Sequence, residues 1–178
     1  MNRTIRMYQA YNEGIAASAV LYQNFLQAPK FSPTRMTWIK PSFCWMAYRA
    51  GYGTKDINQA RILAIDLDRT AFDKLLTEKA VLSSHSLKEG TGACKSSDVV
   101  VQWDPERDVA LKKLEFRSLQ LGMRGETARS YTAGEFIIQI TDVTDLFTSV
   151  HERVLAGDLE GAEALCPEER VYELISSQ

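Results

Sequence analysis

The stretch RMTWIKPSFCWMAYRAGYG (Arg35–Gly53) concentrates side chains that could bind a flat, anionic ligand. If a helix begins near its middle, Ser42, Trp45 and Arg49 stand at i, i+3 and i+7 and share one face. Lys40 directly precedes that helix, whose free N–H groups favour anions. These side chains could hold a phosphate or carboxylate while a tryptophan stacks on a ring.

The same stretch has a second, purely structural interpretation. Pro41 is suited to the first position of a helix, and the opposite helix face is apolar enough to pack on a sheet. That face consists of Phe43, Met46, Ala47 and Ala50. Trp38 and Trp45 could equally belong to the core, with the charged side chains reaching to solvent. The sequence leaves both interpretations open.

Two further segments place polar groups at the ends of strands. VQWDPERD (Val101–Asp108) ends a strand at Trp103 and continues into an acidic turn, where Glu106 is the best single candidate for a catalytic carboxylate. In a third segment, Arg117 and Gln120 interrupt an apolar strand. An acidic turn after a strand is often exposed to solvent without any function, so both clusters remain candidate sites only.

The pattern of apolar residues predicts an α+β fold with a central mixed or mostly antiparallel sheet and flanking helices. The predicted strands are Thr4–Tyr11, Met36–Lys40, Arg61–Asp68, Val99–Trp103, Lys113–Met123 and Glu135–Val143. The predicted helices are 13–27 with Asn12 as N-cap, 42–50, 70–82, 125–134, and two short helices around Gly157 in a C-terminal helical part, 144–178. Residues 83–98 are polar and predicted to form a surface loop.

Length and composition indicate a single globular domain over residues 1–178. The net charge of −2 argues against general binding to a phosphate backbone. Three scattered cysteines and two histidines make a zinc site improbable, so no metal is expected, and they fit reduced thiols in the cytoplasm. No secretion signal or membrane span is expected. The sequence indicates no oligomeric state.

Other candidate motifs have a context that argues against chemistry. GTGACKSS looks like a phosphate-binding loop, but it precedes a predicted strand where the motif requires a helix. His85 and His151 lie in polar surroundings that favour exposed side chains over a catalytic triad. Cys44, between two aromatic residues, is interpreted as a packed thiol.

Several blocks resemble a known but uncharacterised family, domain-of-unknown-function family 4291. The blocks are YQAYN, RMTWIKPSF, WMAYRAG, RILAIDLDR, VQWDPERD and FRSLQLG, and the resemblance extends over nearly the whole chain. The resemblance brings no activity with it.

The order of strands and helices is also similar to the opening of ADP-ribosyltransferase-like domains. That resemblance implies a first-strand residue that holds NAD (Arg6 or Gln9), a second-strand hydroxyl (Thr37 or Ser42), and the acidic residue Glu106. In the His-Tyr-Glu variant of these domains the first strand supplies a histidine, and strand one of this chain has none. In the Arg-Ser-Glu variant the acidic residue lies in a Gln/Glu-x-Glu pattern, and the spacing from Gln102 to Glu106 is longer than that.

The expectation is a small cytoplasmic nucleotide-binding enzyme that uses NAD as an ADP-ribosyltransferase. Its catalytic groups would be Glu106 and Arg6, and a nucleic acid is one conceivable acceptor. The ligand-binding groups would be Gln9, Tyr11, Lys40, Ser42, Trp45, Arg49, Trp103, Arg117 and Gln120. The alternatives are a non-catalytic module that binds a nucleotide or single-stranded nucleic acid by stacking, or a structural protein whose tryptophans are core.

Overall fold

The computed structural model describes residues 3–83 and 97–174 and confirms the predicted α+β class. The strands are β1 (Thr4–Tyr11), β2 (Thr37–Ile39), β3 (Arg61–Asp68), β4 (Ala80–Leu82), β5 (Val99–Arg107), β6 (Lys113–Met123) and β7 (Ile137–Asp142). The helices are α1 (Glu13–Tyr22), α2 (Phe43–Ala50), α3 (Arg69–Lys74), α4 (Gly125–Thr132), α5 (Thr144–Leu155) and α6 (Leu159–Leu165). Short 3-10 turns follow α2 and precede β3, and a π-helical turn follows α3.

The strands form two sheets that meet at one point. Sheet A has the order β1-β3-β7 and is antiparallel throughout, whereas sheet B has the order β2-β6-β5-β4, with only β4 and β5 parallel. The sheets join where the Tyr8 amide donates to the Lys40 carbonyl over 2.7 Å. This junction fixes the end of β2, and with it Lys40, against the middle of β1.

Sheet A is buried on both faces, which explains the nearly continuous apolar run of β3. Leu63, Ile65 and Leu67 point into one core cluster, which sheet B and helices α1 and α4 also line. Ile62 and Ala64 point into a second cluster under α2, α5 and α6. The period-two alternation of a strand assigns neighbouring residues to opposite faces.

Sheet B has one apolar face and one polar face. Ile39, Val101 and Leu121 pack into the first core cluster. The register pairs Gln102 with Gln120 and Trp38 with Gly122, which places these residues on the other face, together with Lys40 and Asp104. Helix α2 packs near this polar face, and the candidate site forms between them.

Most predicted elements are confirmed, including β1, β3 and β6 with their predicted bounds and the N-cap at Asn12, whose side chain accepts from Ile15. The C-terminal part does contain two short helices around Gly157. Helix α1, however, ends at Tyr22 and not at residue 27. The predicted loop 83–98 lies largely outside the described residues.

Three predictions about local structure are wrong. Residues 80–82 form strand β4 and not the end of a helix, because they pair with β5. Residues 104–107 do not turn the chain; they continue β5 to Arg107, and a bulge accommodates Pro105, which lacks an N–H. Helix α2 does not begin at Pro41, since the side chain of Ser42 accepts from the Trp45 amide as N-cap.

Within the described ranges, 3–83 and 97–174, none of the helices combines the length and apolar character that a membrane crossing requires.

Candidate functional site

Four elements converge on the polar face of sheet B: the end of β2, the N-terminus of α2, and the middle of β5 and β6. Ser42 connects them because one hydroxyl serves two purposes. It accepts from the Trp45 amide over 2.9 Å, which caps α2, and it donates to Glu106 Oε1 over 2.7 Å. The same residue therefore starts the helix and holds the carboxylate.

Glu106 is a buried and well-oriented carboxylate. The residue is 8% exposed, and the oxygen that accepts from Ser42 also accepts from the Arg107 amide over 2.8 Å. Two donors on one oxygen fix the orientation of the group. A carboxylate held in this way can stabilise positive charge that develops on a neighbouring ligand.

Lys40 lies beside it and is buried, with 5% of the residue exposed. Its Nζ is 3.5 Å from Asp104 Oδ2 and 2.9 Å from the centroid of the Trp45 ring. Burial lowers the pKa of the Lys40 ammonium to about 7, and Asp104 opposes that shift only in part. Lys40 can therefore gain or lose a proton near neutral pH.

Asp104 is in turn fixed by two amides of sheet B. Gln102 donates to its Oδ1 over 3.0 Å, and Gln120 donates to its Oδ2 over 2.7 Å. These three residues and Lys40 form a continuous network on the outer face of the sheet. Its rigidity holds Lys40 next to Ser42 and Glu106.

The segment after α6 also reaches this site, and residues 167–174 are here named the C-terminal strap. Glu169 of the strap accepts from the Phe43 amide at the N-terminus of α2 over 2.7 Å. Although much of the residue is exposed, desolvation of the carboxylate and the nearby Glu106 raise the pKa of Glu169 to about 7. Farther along, Tyr172 hydrogen-bonds to Asp73.

The structure brings four of the sequence-predicted site residues together: Lys40, Ser42, Trp45 and Glu106, with Gln120 contributing through Asp104. Trp45 is 8% exposed and lies against Lys40, so its ring is not open to a stacking ligand. Arg49 is at the exposed rim, where it donates to Gln59 over 3.3 Å. Its charge lies close enough to lower the pKa of Lys40 further.

The predicted residues of β1 have other partners. Arg6 forms a two-pronged ion pair with Asp66, with both contacts at 2.8 Å. Gln9 and Tyr11 face the first core cluster, on the side of β1 opposite Tyr8. Gln9 is buried, donates to the Trp38 carbonyl and accepts from the Tyr131 hydroxyl.

Trp103 and Arg117 lie on the other face of sheet B from the network. Trp103 is 45% exposed, and Arg117 donates to the Trp103 carbonyl over 3.0 Å. Thr37 is buried on the core face of β2, so Ser42 is the hydroxyl nearest Glu106.

Asp104 and Gln102 lie in the candidate segment Val101–Asp108 without being singled out there as site residues, and Glu169 is missed altogether. The first two have a signal in the sequence, because they alternate with apolar residues along β5 and so share a face. Glu169 has no local signal, since it lies 126 residues from its partner Phe43.

Two surface depressions in the described part of the chain lie elsewhere. One, of about 480 Å³, borders Leu26, Pro33 and Arg129, and the other, of about 240 Å³, borders Lys74, Thr127 and Phe136. Both flank α4. Neither depression is lined by Lys40, Ser42 or Glu106.

No three side chains of His, Cys, Asp or Glu cluster closely enough for a metal site among the residues that the structure describes. The fold and the network define an α+β domain with a buried, paired charge cluster at the junction of two sheets. The family model Domain of unknown function (DUF4291) matches residues 1–172, and the chain belongs to this family. No curated protein matches it.

Proposed function

We propose that the protein binds NAD, or a closely related nucleotide, beside Glu106 and transfers its ADP-ribose group. The observation that carries this proposal is the buried hydrogen bond between Ser42 and Glu106, next to Lys40 at the junction of the two sheets. The resemblance to ADP-ribosyltransferase-like domains implies a hydroxyl supplied by the second strand, for which Ser42 stands just after β2, and a later acidic residue, for which Glu106 stands.

The chemistry requires a fixed carboxylate. The bond between the ribose C1′ and the nicotinamide nitrogen breaks, and its electron pair leaves with neutral nicotinamide. Positive charge develops on the ribose, where Glu106 would stabilise it. A lone pair of the acceptor then bonds to C1′ and the acceptor loses a proton; with water as acceptor the products are ADP-ribose, nicotinamide and H⁺.

Lys40 and Arg49 are the cations available to a diphosphate. Lys40 is paired with Asp104, so an anionic ligand would have to compete for it or approach through Arg49 at the rim. Arg6 instead forms its ion pair with Asp66 of β3. The proposal therefore gives the diphosphate role to the α2 end of the site and not to β1.

The decisive experiment is nicotinamide release from NAD, followed by chromatography, with the wild type and with Glu106→Gln. The substitution preserves shape but removes the charge. We expect a loss of at least about 100-fold, the order of effect seen when one electrostatic contact to a transition state is removed.

A matched control is Glu115→Gln on the exposed part of β6, which should release nicotinamide at the wild-type rate. Absence of release by the wild type, or equal release by Glu106→Gln, would contradict the proposal. The folded state of each variant is checked by its thermal transition.

The second candidate is a non-catalytic module that binds a nucleotide or a single strand of nucleic acid. The exposed Trp103 favours it, since an exposed aromatic ring near Arg117 could stack on a base. NAD would then raise the thermal transition without nicotinamide release. Trp103→Ala would reduce that shift, whereas Glu106→Gln would leave it unchanged.

A further inference from the structure

Two thiols lie beside the candidate site without a part in the proposed reaction. Cys44 is the second residue of α2, and Cys166 immediately follows α6 and precedes the C-terminal strap. Both are free and half-buried, and both pack on the second core cluster.

Several contacts bring the two cysteines together although they are distant in sequence. The 2.7 Å hydrogen bond from the Phe43 amide to Glu169 places the strap against the residue that precedes Cys44. The Cys166 thiol donates to the Ala162 carbonyl over 3.4 Å, which fixes it at the end of α6. The two thiols lie close enough to affect each other's pKa, and both also affect the pKa of Tyr52. The pair is thus part of the packing between α2 and the α6 end.

We propose that Cys44 and Cys166 form an intramolecular disulfide when the protein meets a peroxide, and that this bond fastens the C-terminal strap to α2. The consequence for activity rests on the proposed function: with the strap fastened, Glu169 stays against the N-terminus of α2 beside Glu106. The disulfide itself does not depend on any reaction at that site.

The roles of the two sulfurs follow from their surroundings. Interaction with the Cys44 thiol lowers the pKa of Cys166, and the same interaction together with burial raises the pKa of Cys44. Because the thiolate is the nucleophile, Cys166 reacts first.

The step balances with hydrogen peroxide as the oxidant. Cys166 sulfur attacks one peroxide oxygen, the O–O bond breaks, and the departing hydroxide takes a proton to become water. Cys44 sulfur then attacks the resulting sulfenic acid, the S–O bond breaks, and a second water leaves. Two thiols lose two electrons and two protons, and the peroxide is reduced to two waters.

The test uses the full chain, reduced and then treated with hydrogen peroxide, followed by alkylation and peptide mass spectrometry. We expect the number of alkylated thiols to fall from the three of the sequence to one. A peptide that links Cys44 to Cys166 should appear in the wild type and in Cys94→Ser, and it should be absent from Cys44→Ser and from Cys166→Ser.

A second measurement reports on the strap without reference to activity. Hydrogen exchange of the Phe43 amide, which donates to Glu169, should slow several-fold on oxidation and recover with a thiol reductant. Cys166→Ser should show no such change under peroxide.

The inference is overturned if the linked peptide contains Cys94, if Cys44 and Cys166 both remain alkylated, or if they are found only as sulfinic acids. Unchanged exchange at Phe43 in a protein that carries the disulfide would overturn the role of the strap. If the reduced protein releases no nicotinamide, the proposed function fails, but the thiol and exchange results still decide this inference.

Discussion

Lys40 and Glu106 are neighbouring buried charges, but they differ in how well the protein replaces the water that each loses. Glu106 accepts from Ser42 and from a backbone amide, so the structure supplies its carboxylate with donors. Lys40 has one ion-pair contact at 3.5 Å and an aromatic ring, which do not replace the water that its ammonium loses on burial. At the scale of single residues, Lys40 is therefore the group whose burial costs stability.

The pH dependence of stability should expose this cost. The folded pKa of Lys40, about 7, lies below its ordinary value of 10.5, so between these values the unfolded chain holds a proton that the folded chain lacks. Stability must then rise with pH, with the full penalty present below about pH 7. Relative to Lys40→Met, the wild type should gain up to about 1.4 kcal/mol per pH unit between 7 and 10.5.

Urea unfolding of the wild type and of Lys40→Met at several pH values measures the difference between their free energies of unfolding. The other titrating groups are the same in both proteins, so their effects largely cancel in that difference. Lys55→Met, at an exposed position, is the matched control and should give a difference that does not vary with pH. A flat difference for Lys40→Met as well would show that the ammonium is not desolvated.

At the scale of elements, the N-terminus of α2 is the meeting point of the site. Its first amide, from Phe43, is satisfied by the strap, and the Trp45 amide is satisfied by Ser42. The groups that face Glu169 are Glu106 from β5, Tyr8 from β1, Cys44 of α2 and Cys166 next to the strap. None of them is a cation, and the hydrogen bond from the Phe43 amide, which favours the ionised form of Glu169, does not offset the desolvation of its carboxylate.

Docking of the strap should therefore weaken as the pH rises. Docking raises the pKa of Glu169 from 4.5 to about 7, so the docked strap binds a proton that the undocked strap has lost. The stabilisation that this proton gives to docking is fully present below about pH 4.5 and is lost as the pH rises through 7. Hydrogen exchange at Phe43, corrected for the intrinsic rate, should become less protected from pH 5 to pH 8. Glu169→Gln, which resembles the protonated form, should keep its protection over that range.

Glu168→Gln is the neighbouring control, because Glu168 is paired only with exposed Arg170 on the surface of the strap. It should behave as the wild type does. Equal pH dependence in Glu169→Gln and the wild type would remove Glu169 as the cause.

At the scale of the whole molecule, the site depends on the angle between two sheets. The junction consists of the hydrogen bond from Tyr8 to Lys40 and of Gln9, whose side chain spans β1, β2 and α4. Gln9 is 6% exposed, donates to the Trp38 carbonyl over 2.8 Å and accepts from the Tyr131 hydroxyl over 2.6 Å. It connects the layers, and nothing in its contacts requires a ligand.

Replacement of Gln9 by Leu should destabilise the whole fold. It leaves a buried carbonyl and a buried hydroxyl without partners, each of which costs about 1–3 kcal/mol. Differential scanning calorimetry should show a clear fall in Tm, whereas Gln139→Leu, at an exposed position of β7, should change Tm little. If Gln9→Leu unfolds at the wild-type temperature, the two contacts do not hold the sheets together.

The sequence by itself determined those features that depend on neighbours along the chain. The buried run of β3 and the cap at Asn12 follow from periodicity and local hydrogen bonding. The apolar face of α2 was also predictable, because helical spacing places Phe43, Met46, Ala47 and Ala50 on the side that meets the core.

Only the tertiary structure decided which polar groups face each other. Ser42 meets Glu106 across 64 residues, and Phe43 meets Glu169 across 126, whereas Arg6 and Gln9 are turned to other partners. Such contacts depend on the register of the sheets and on the path of the chain after α6. Local spacing cannot fix either, since a shift of one residue in a strand moves every side chain to the opposite face.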